Sequence, residues 1–484
     1  MAEGMRTNAG YDAVVVGAGP NGLSAAIALA QAGRSVLVRE AHDTVGGGCR
    51  SAELTLSGVT HDVCSAVHPL GVGSPFFRSL PLERHGLRWI EPPVQLAHPL
   101  DDGSAGLAYR DLYRTADGFG DDSDAAFYER HIGYIAEHWD EVVNAFLGPI
   151  RPLRLLQSPM TTLRYGLPAA LPASVIAWRF RSERVRGLLA GCAAHGMVRL
   201  EQPLTGSLAL TLLVSAHTVG WPIPDGGSQR IADALASYLR ELGGVIETDA
   251  PVGSLDELPP HRAVLLDLAP EGVLRVAGDR LGGLYERQLR AFRAGPGVFK
   301  LDLVLDGPIP WRNPAVGEAG FVHLGGTFRE VAATERLVAQ GKHPQRPFVL
   351  VSQPTAFDPG RAPAGQHVVW SYCHVPNGST VDMTDAIEAQ IERFAPGFRD
   401  RIIARHAMDS AAIEAYNPNY IGGDIAGGWQ GPTQLLTRPA LRPDPYSTPD
   451  PAIFICSAST PPGAGVHGLC GQFAAESALR GILH

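Results

Sequence analysis

The chain has 484 residues, a formal net charge of −9, 45% hydrophobic residues and 18% charged residues. At ~150 residues per domain, this length predicts two or three domains, and the composition excludes a disordered chain. The negative charge disfavours nucleic acid as a partner, and we expect none.

The cysteines are scattered without a C-x-x-C pair, which predicts a reducing compartment and no metal site. The N-terminus lacks the layout of a secretion signal, and no apolar stretch approaches the ~18 residues of a membrane span. We therefore expect a cytoplasmic protein.

The first predicted element is an unbroken apolar strand over residues 12–16, typical of a parallel sheet covered on both faces. It ends at Gly17, and from Pro20 onward the apolar residues have helical spacing. Gly17, Gly19 and Gly22 form the pattern G-x-G-x-x-G. In such a unit they permit a tight turn, close approach of a pyrophosphate to the backbone, and close packing of helix on strand.

A second short strand is predicted over residues 35–39, and Glu40 follows it, 18 residues after Gly22. Strand, helix, strand and terminal acid in this order predict a dinucleotide site, with the phosphates at the helix start. The alternative is a glycine-rich turn in an ordinary βαβ unit.

Two polar stretches follow. Gly46 to Gly48 with Arg50 could lie against a phosphate or a flavin edge, or form a flexible surface turn. His61, Asp62, Cys64 and His68 lie close together in sequence, but their spacing disfavours a metal site. Residues facing a flavin and ordinary loop residues are both open interpretations.

Residues 125–146 are predicted to form one amphipathic helix. The next segment, residues 144–200, has eight arginines, no lysine and one acid, Glu183, among many apolar residues. This pattern suits an anionic membrane surface, and the alternative is a solvated helical cap over a substrate channel. The arginines are Arg151, Arg154, Arg164, Arg179, Arg181, Arg184, Arg186 and Arg199.

A helix over residues 229–242 and short strands near residues 245–248, 252 and 264–268 predict that the parallel sheet resumes. Later runs alternate with period two, which predicts a second, largely antiparallel sheet with one face on a core or cavity. These runs are residues 298–305, 348–352 and 367–372, and a helix over residues 385–394 follows them.

The chain ends with a strand over residues 452–456, a glycine turn and a helix, again formally G-x-G-x-x-G from Gly463 to Gly468. Only 16 residues follow Gly468, so no second strand or ribose acid can complete a separate site. We therefore expect both ends of the chain to build one dinucleotide site.

These motifs resemble those of the phytoene desaturase group of flavoproteins, carotenoid oxidoreductases of the glutathione reductase type. The likeness is strong at both ends, and the C-terminal part is most similar to the subgroup resembling pyridine nucleotide-disulfide oxidoreductase domain-containing protein 2. The stretches that carry it are residues 16–23, Glu40 with 46–48, 422–425, 446–449 and 456–468.

The resemblance implies an α/β fold with a Rossmann-type FAD-binding domain that is discontinuous in sequence, and a substrate domain with a mainly antiparallel sheet and a helical cap. The expected ranges are 1–72, 201–297 and 421–484 for the first, and 73–200 and 298–420 for the second. FAD is the implied cofactor, with the glycine motif at its pyrophosphate, Glu40 on its ribose, Val252 near its adenine and the C-terminal turn near its ring. The expected contact residues are Gly17, Gly19, Pro20, Asn21, Gly22, Glu40, Ala41, Gly47, Gly48, Arg50, Val252, Gly465, Val466, His467 and Gly468.

Two features depart from the group. Ser457 and Ala458 follow the last strand where many relatives have an acid near the ribitol, and the segment 247–270 is short.

The implied activity is FAD-dependent desaturation or other oxidation of a small apolar, isoprenoid-like substrate by hydride transfer. The alternatives are an amine or alcohol oxidase and a flavin-binding regulatory protein with little turnover. His467, His61 and Arg50 are the candidate catalytic residues, chosen for expected nearness to the flavin. A lipid-like substrate also favours peripheral membrane association through the arginine-rich segment.

Overall fold

The structure is a computed structural model that describes residues 10–149 and 152–484. Its strands are β1 Tyr11–Val16, β2 Val36–Arg39, β3 Ser51–Glu53, β4 Thr60–Asp62, β5 Trp89–Ile90, β6 Val94–Pro99, β7 Ala105–Ala108, β8 Ile223–Pro224, β9 Val245–Glu247, β10 His261–Leu266, β11 Gly297–Leu305, β12 Ala319–Leu324, β13 Val349–Ser352, β14 His367–Val375, β15 Ile402–Met408 and β16 Ile453–Ile455.

Its α-helices are α1 Pro20–Gln31, α2 Pro69–Val72, α3 Pro75–Arg78, α4 Leu112–Asp117, α5 Asp122–Glu137, α6 Trp139–Phe146, α7 Pro152–Gln157, α8 Pro159–Ala170, α9 Ala173–Ala177, α10 Glu183–Ala194, α11 Thr205–Thr218, α12 Gln229–Glu241, α13 Pro270–Leu281, α14 Gly283–Arg290, α15 Phe328–Ala339, α16 Thr384–Phe394, α17 Ser410–Tyr416, α18 Pro432–Thr437 and α19 Leu469–Arg480.

A five-stranded sheet in the order β16-β10-β1-β2-β9 joins the two ends of the chain. All of its strand pairs are parallel. Val15 and Leu265 pack against α1, α12 and α19, while Val264 and Leu266 pack against α13. Helices on both faces explain the unbroken apolar strands, because neither face contacts water. The predicted Rossmann-type α/β fold is confirmed.

Strands of this sheet come from three separate parts of the chain, before residue 40, between residues 245 and 266, and after residue 452. The sheet is therefore discontinuous in sequence. The exact domain boundaries given above stay a prediction.

The second sheet has seven strands in the order β15-β11-β14-β13-β12-β6-β7. It is antiparallel except where β12 pairs with β6, which confirms the predicted sheet type. The alternation predicted one face on a core or cavity, and at β11 the structure covers both faces, because every residue of this strand is buried. Phe299 and Leu303 pack against α16, and Val304 on the opposite face packs against Val59.

Helices α5 to α11 form a helical layer beside this sheet, in which α10 contacts β6, β7 and β12. The predicted single helix over residues 125–146 is two helices, α5 and α6. The break falls at His138, whose Nδ1–H donates to the Tyr134 carbonyl at 2.9 Å. Arg151 of the arginine-rich segment lies outside the described residues. Within the described ranges, no helix is both long enough and apolar enough to cross a bilayer.

Candidate dinucleotide site and adjoining chamber

A cavity of about 1810 Å³ opens beyond the carboxyl ends of β1, β2 and β10. This is where open parallel sheets bind their ligands. Pockets for drug-sized ligands have volumes of about 300–1,000 Å³. The cavity therefore has room for a dinucleotide and a second molecule. We call the part lined by Gly17, Gly19, Asn21, Glu40 and Asp267 the dinucleotide cleft.

The glycine motif forms a bare backbone wall of the cleft. Gly17 has φ +102°, which favours glycine, and its N–H donates to the Arg39 carbonyl at 2.8 Å. A Cβ on Gly22 would lie 2.0 Å from the Gly17 oxygen, so helix and turn pack without room for a side chain. Gly22 itself does not line the cavity, whereas Gly17, Gly19, Pro20 and Asn21 do.

A buried polar atom of Asn21 shows whether this wall is suited to a ligand. Asn21 is 8% exposed, and its Oδ1 has no hydrogen-bond partner in the described part of the chain. Buried polar atoms are normally satisfied, so a ligand or solvent is needed here. The helix start beside it favours negative charge. The residues present therefore fit a dinucleotide.

Glu40, which directly follows β2, connects several segments of the cleft through hydrogen bonds and an ion pair. Its Oε2 accepts the Ala18 N–H at 2.7 Å, and its Oε1 accepts the His42 N–H at 3.0 Å. Arg50 Nη2 lies 3.2 Å from Oε1 and also donates to the Thr44 carbonyl at 2.9 Å. Arg50 lines the cavity, as expected, with its guanidinium held by Glu40 and Thr44, and its role as a catalytic residue stays a prediction.

The second glycine stretch, residues 46–48, packs against the glycine motif. A Cβ on Gly47 would lie 3.2 Å from the Gly19 Cα, so these two glycines bring their backbones close together. Gly47, Gly48, Ala41 and Val252 all line the cavity. The stretch is therefore part of the cleft wall and not a free surface turn.

The C-terminal turn supplies the far end of the cleft. Gly465, Val466 and His467 line the cavity. Gly468 does not, because it packs at the start of α19, where a Cβ would lie 2.1 Å from Ser24 Oγ. The two ends of the chain thus meet in one cavity.

His467 is neutral. It is 1% exposed, and burial lowers the pKa of its ring to about 4. Its Nδ1 accepts the Leu469 N–H at 3.0 Å, which places the ring proton on Nε2. Nε2 has no partner among the described residues. His467 therefore holds one uncommitted donor beside the cavity.

His61 does not reach the cavity. Its side chain is fully buried, with Nε2 at 2.7 Å from Thr55 Oγ1 and Nδ1 at 3.5 Å from Asp302 Oδ1. Its position on β4 turns it toward β11, so the prediction of a catalytic His61 is corrected.

The neighbours of His61 divide between two roles. Asp62 is paired with Arg361 at 2.5 Å, while Cys64 and His68 line the cavity. His68 Nε2 lies 2.8 Å from Ser228 Oγ. In residues 10–149 and 152–484, no three histidine, cysteine or acidic side chains are arranged to hold a metal ion.

Asp267 was missed by the sequence analysis. It follows β10 directly, as Glu40 follows β2, and its Oδ2 accepts the Gly22 N–H at 2.9 Å. Burial raises the pKa of its carboxyl to about 7; the Gly22 hydrogen bond lowers the pKa, and the nearby Glu40 charge raises it by less than that bond lowers it. The position directly after a parallel strand was the signal that could have identified it.

The cavity continues into a second region that the sequence did not predict, which we call the aromatic chamber. Trp221 and Phe321 lie 5.6 Å apart between ring centroids, Phe321 and Trp370 5.8 Å, and Trp370 and Tyr372 5.1 Å. His195 completes it, with a ring centroid 5.8 Å from that of Trp221. All five residues line the same cavity as the glycine motif.

The side chains that line the chamber carry no charge. Burial lowers the pKa of His195 to about 3, and its Nε2 shares a hydrogen bond of 3.0 Å with His323 Nε2. The acids that line the cavity lie on other elements, and none is on a chamber element; they are Glu40, Asp267, Glu271 and Asp424. The chamber therefore suits an apolar or neutral molecule.

Comparison with known families and curated proteins identifies the N-terminal unit. The family described as NAD(P)-binding Rossmann-like domain matches residues 15–79. Pyridine nucleotide-disulfide oxidoreductase domain-containing protein 2 of Mus musculus is 25% identical over 98% of this chain and 94% of its own length. Hydroxyneurosporene desaturase of Cereibacter sphaeroides is 30% identical over 50% of each chain.

Solved structures agree over nearly the whole length. An oxidoreductase from Methanosarcina mazei has a TM-score of 0.64 at 16% identity, covering 97% of this chain and 99% of its own. Cyclohexylamine oxidase from Brevibacterium oxydans has a TM-score of 0.59 at 16% identity, with the same coverage. The chain therefore has a Rossmann-like dinucleotide-binding unit within a two-sheet α/β fold that these two enzymes share.

Proposed function

We propose that this chain is an FAD-dependent oxidoreductase that desaturates or otherwise oxidises an apolar, isoprenoid-like substrate. One observation carries the proposal. A single cavity joins a dinucleotide cleft to an uncharged aromatic chamber. The similarity to a desaturase and to oxidoreductases of the same fold supports it.

The chain's own residues have separate tasks in this proposal. Gly17, Gly19 and Asn21 hold the pyrophosphate, and Glu40 holds the adenosine ribose. When bound, FAD supplies a ring that accepts hydride. The Nε2–H of His467 donates a hydrogen bond at the ring end of the cleft. The chamber residues exclude water and orient the substrate by shape.

The chamber favours a neutral substrate over an amine. An ammonium group taken out of water needs a carboxylate partner. None of the four cavity-lining acids, Glu40, Asp267, Glu271 and Asp424, lies on an element that forms the chamber. The alternatives are an amine or alcohol oxidase and a flavin protein with little turnover, and the experiment below distinguishes them.

The test is reduction of the bound flavin without oxygen. The purified protein should bind FAD and lose its yellow colour with isoprenoid hydrocarbons in detergent, and not with primary amines or alcohols. Leu208→Lys places a charge on the cavity wall and should retain FAD while slowing this reduction. Leu284→Lys, on an exposed side chain, should have no effect. Reduction by amines or alcohols alone supports the oxidase, reduction by nothing tried supports the regulatory protein, and failure to bind FAD contradicts all three.

We also propose that residues 152–181, from α7 to the turn after α9, rest on an anionic membrane surface. Of the fifteen large exposed apolar side chains among the described residues, eight lie in this short stretch. They are Leu153, Leu156, Met160, Leu163, Leu167, Leu171, Val175 and Trp178. A concentration of exposed apolar side chains of this kind marks an interaction site.

The positive charges in the same stretch support an anionic partner. Arg164, Arg179 and Arg181 are exposed, whereas Arg184 donates to the Gly118 carbonyl and Arg186 pairs with Glu183. Exposed arginines beside apolar side chains suit anionic headgroups. The buried side of α8, which includes Tyr165, lines the cavity. A substrate dissolved in lipid would thus have a short path to the chamber.

Sedimentation with vesicles tests the surface. The natural protein should bind vesicles rich in phosphatidylserine and bind phosphatidylcholine vesicles poorly. Changing Arg164, Arg179 and Arg181 together to glutamine should abolish this difference. The matched control changes three exposed arginines elsewhere, Arg84, Arg240 and Arg329, and should bind as the natural protein does. Equal binding by both triple variants leaves a solvated helical cap as the explanation.

A further inference from the structure

Asp267 places a second carboxyl against the glycine motif, with no cationic side chain paired to it among the described residues. Its Oδ2 accepts the Gly22 N–H at 2.9 Å, and a Cβ on Gly19 would lie only 2.9 Å from the same oxygen. It therefore lies beneath the stretch of backbone that would face a pyrophosphate. In the described ranges, it forms no ion pair with any arginine, lysine or histidine.

Glu40 in the same cleft is different. Its carboxylate is paired with Arg50 and accepts two backbone N–H groups. Asp267 accepts only the Gly22 N–H through its side chain. The other ionisable groups whose charges bear on Asp267 are Glu40, Tyr420, Cys456 and Cys470, and each is neutral or negative.

The start of α1 cannot serve two negative groups at once. The dipole of a helix stabilises an anion only weakly, and only within the first turn. An ionised Asp267 already uses that position through Gly22 in the third residue of the helix. A diphosphate at the same helix start would therefore meet a like charge.

We propose that Asp267 carries a proton when a dinucleotide occupies the cleft, so that this residue couples dinucleotide binding to the uptake of one proton from solvent. The proposal rests on the dinucleotide site of the proposed function. The carboxyl remains an acceptor for the Gly22 N–H when protonated, and its O–H becomes a donor on the cavity side. Proton uptake on binding agrees with the raised pKa of Asp267 in the free protein, because the negative charge of a nearby diphosphate raises the pKa of this carboxyl further.

The linkage fixes how affinity changes with pH. Below the pKa of the free protein, about 7, Asp267 is already protonated and the affinity is constant. Above it, binding requires a proton, and the dissociation constant rises by up to about tenfold per pH unit. The dissociation constant stops rising above the pKa of Asp267 in the FAD-bound protein, because the carboxyl is then ionised in both forms.

Titration of the full-length apoprotein with FAD, followed by fluorescence, measures this dependence from pH 5.5 to 9. The natural protein should bind with constant affinity up to about pH 7 and more weakly above it. Asp267→Asn keeps the acceptor for Gly22 without a charge, and should bind with the same affinity at every pH. Asp279→Asn removes the same charge from the exposed side of α13 and should behave as the natural protein does.

Calorimetry on the natural apoprotein provides a measurement that needs no variant. At pH 8, titrations in two buffers of different ionisation enthalpy should show about one proton taken up per FAD bound. No proton uptake, or the same pH profile in Asp267→Asn as in the natural protein, would overturn this proposal and leave the proposed function standing. If the natural protein binds no FAD at any pH, the proposed function falls and this proposal falls with it.

Discussion

Arg50 Nη2 lies 3.2 Å from Glu40 Oε1, with both side chains more than nine-tenths buried at the edge of the dinucleotide cleft. Removing one partner of a buried ion pair costs about 3–5 kcal/mol, because the other charge is left without compensation. We therefore expect Glu40→Gln to lower the free energy of unfolding by this amount in urea denaturation.

The same change should weaken FAD binding more than about tenfold, since a charge-assisted hydrogen bond contributes ~1.5–3 kcal/mol and 1.4 kcal/mol is tenfold in affinity. Glu247→Gln is the matched control. Its side chain is 48% exposed and lies 3.4 Å from Arg39, a surface pair that contributes only ~0–1 kcal/mol. Equal effects of the two variants would contradict the role given to Glu40.

The packing of α1 on α19 gives a second prediction. A Cβ on Gly471 would lie 1.9 Å from the Asn21 carbonyl oxygen and 2.8 Å from the Ala25 nitrogen, both backbone atoms that cannot turn aside. Gly471→Ala should therefore destabilise the protein by at least the ~1–3 kcal/mol of an overpacked core, and lower its FAD content, because Asn21 lines the cleft.

Gly278→Ala is the opposite case on a helix of the same unit. It lies within α13, and a Cβ there would meet nothing within 4 Å. Alanine should stabilise the protein by about 0.5–1 kcal/mol, because glycine loses more conformational freedom in a helix. Urea unfolding of the two variants should show shifts of opposite sign; shifts of the same sign would contradict the close contact between α1 and α19.

A third prediction concerns pH and the buried Arg361. Its Nη1 lies 2.5 Å from Asp62 Oδ2, and its Nε lies 2.9 Å from Asp358 Oδ2. Burial by itself raises the pKa of Asp62, but the Arg361 charge and the hydrogen bonds from Ser228 and Ser51 hold it below its ordinary value. The stability that Asp62 contributes is therefore present above its unfolded pKa of about 3.9 and is lost as pH falls below it.

Arg361→Met should reverse this dependence. Without the guanidinium, burial dominates and the pKa of Asp62 rises above its unfolded value. The variant should lose about 3–5 kcal/mol at pH 8, and the loss should shrink as pH falls toward 5 and Asp62 takes up a proton. Arg290→Met, which breaks an exposed pair with Glu286, should cost only ~0.3–0.5 kcal/mol. A loss for Arg361→Met that is the same at pH 5 and pH 8 would contradict this account.

The sequence predicted the parallel sheet and the glycine wall because both follow from residue patterns within short segments of the chain. Strands β1, β2 and β10 of that sheet contain unbroken apolar runs, and Gly17, Gly19 and Glu40 lie within one βαβ unit. Asp267 was missed because its contact with Gly22 spans 245 residues, and its position directly after β10 was the local signal for it. The aromatic chamber was missed for the same reason, since Trp221, Phe321 and Trp370 come from three distant segments.

The second sheet was predicted correctly in type, and the burial of its second face at β11 was not predicted. Lys300 and Asp302 alternate with apolar residues along β11, which is the usual pattern of a solvent-facing side. In the structure they form a buried ion pair with each other, covered by the segment that contains His61. Two opposite charges two residues apart on one strand face can satisfy each other. The same packing explains why His61 contacts Asp302 and not the cavity.

The two histidines chosen from the sequence give the last prediction, since one lines the cavity and the other does not. His467→Gln should shift the visible absorption bands of bound FAD and slow its reduction by at least about tenfold, because the uncommitted Nε2–H is lost beside the flavin.

His61→Gln should leave the absorption bands unchanged and lower the free energy of unfolding by about 1–3 kcal/mol, the cost of leaving a buried polar partner unsatisfied. Because burial holds the pKa of His467 near 4, the reduction rate of the natural protein should show no inflection from this residue between pH 5.5 and 8. Absorption bands that move with His61 and stay fixed with His467 would mean that the flavin ring does not lie at the C-terminal turn, because only His467 can reach it there.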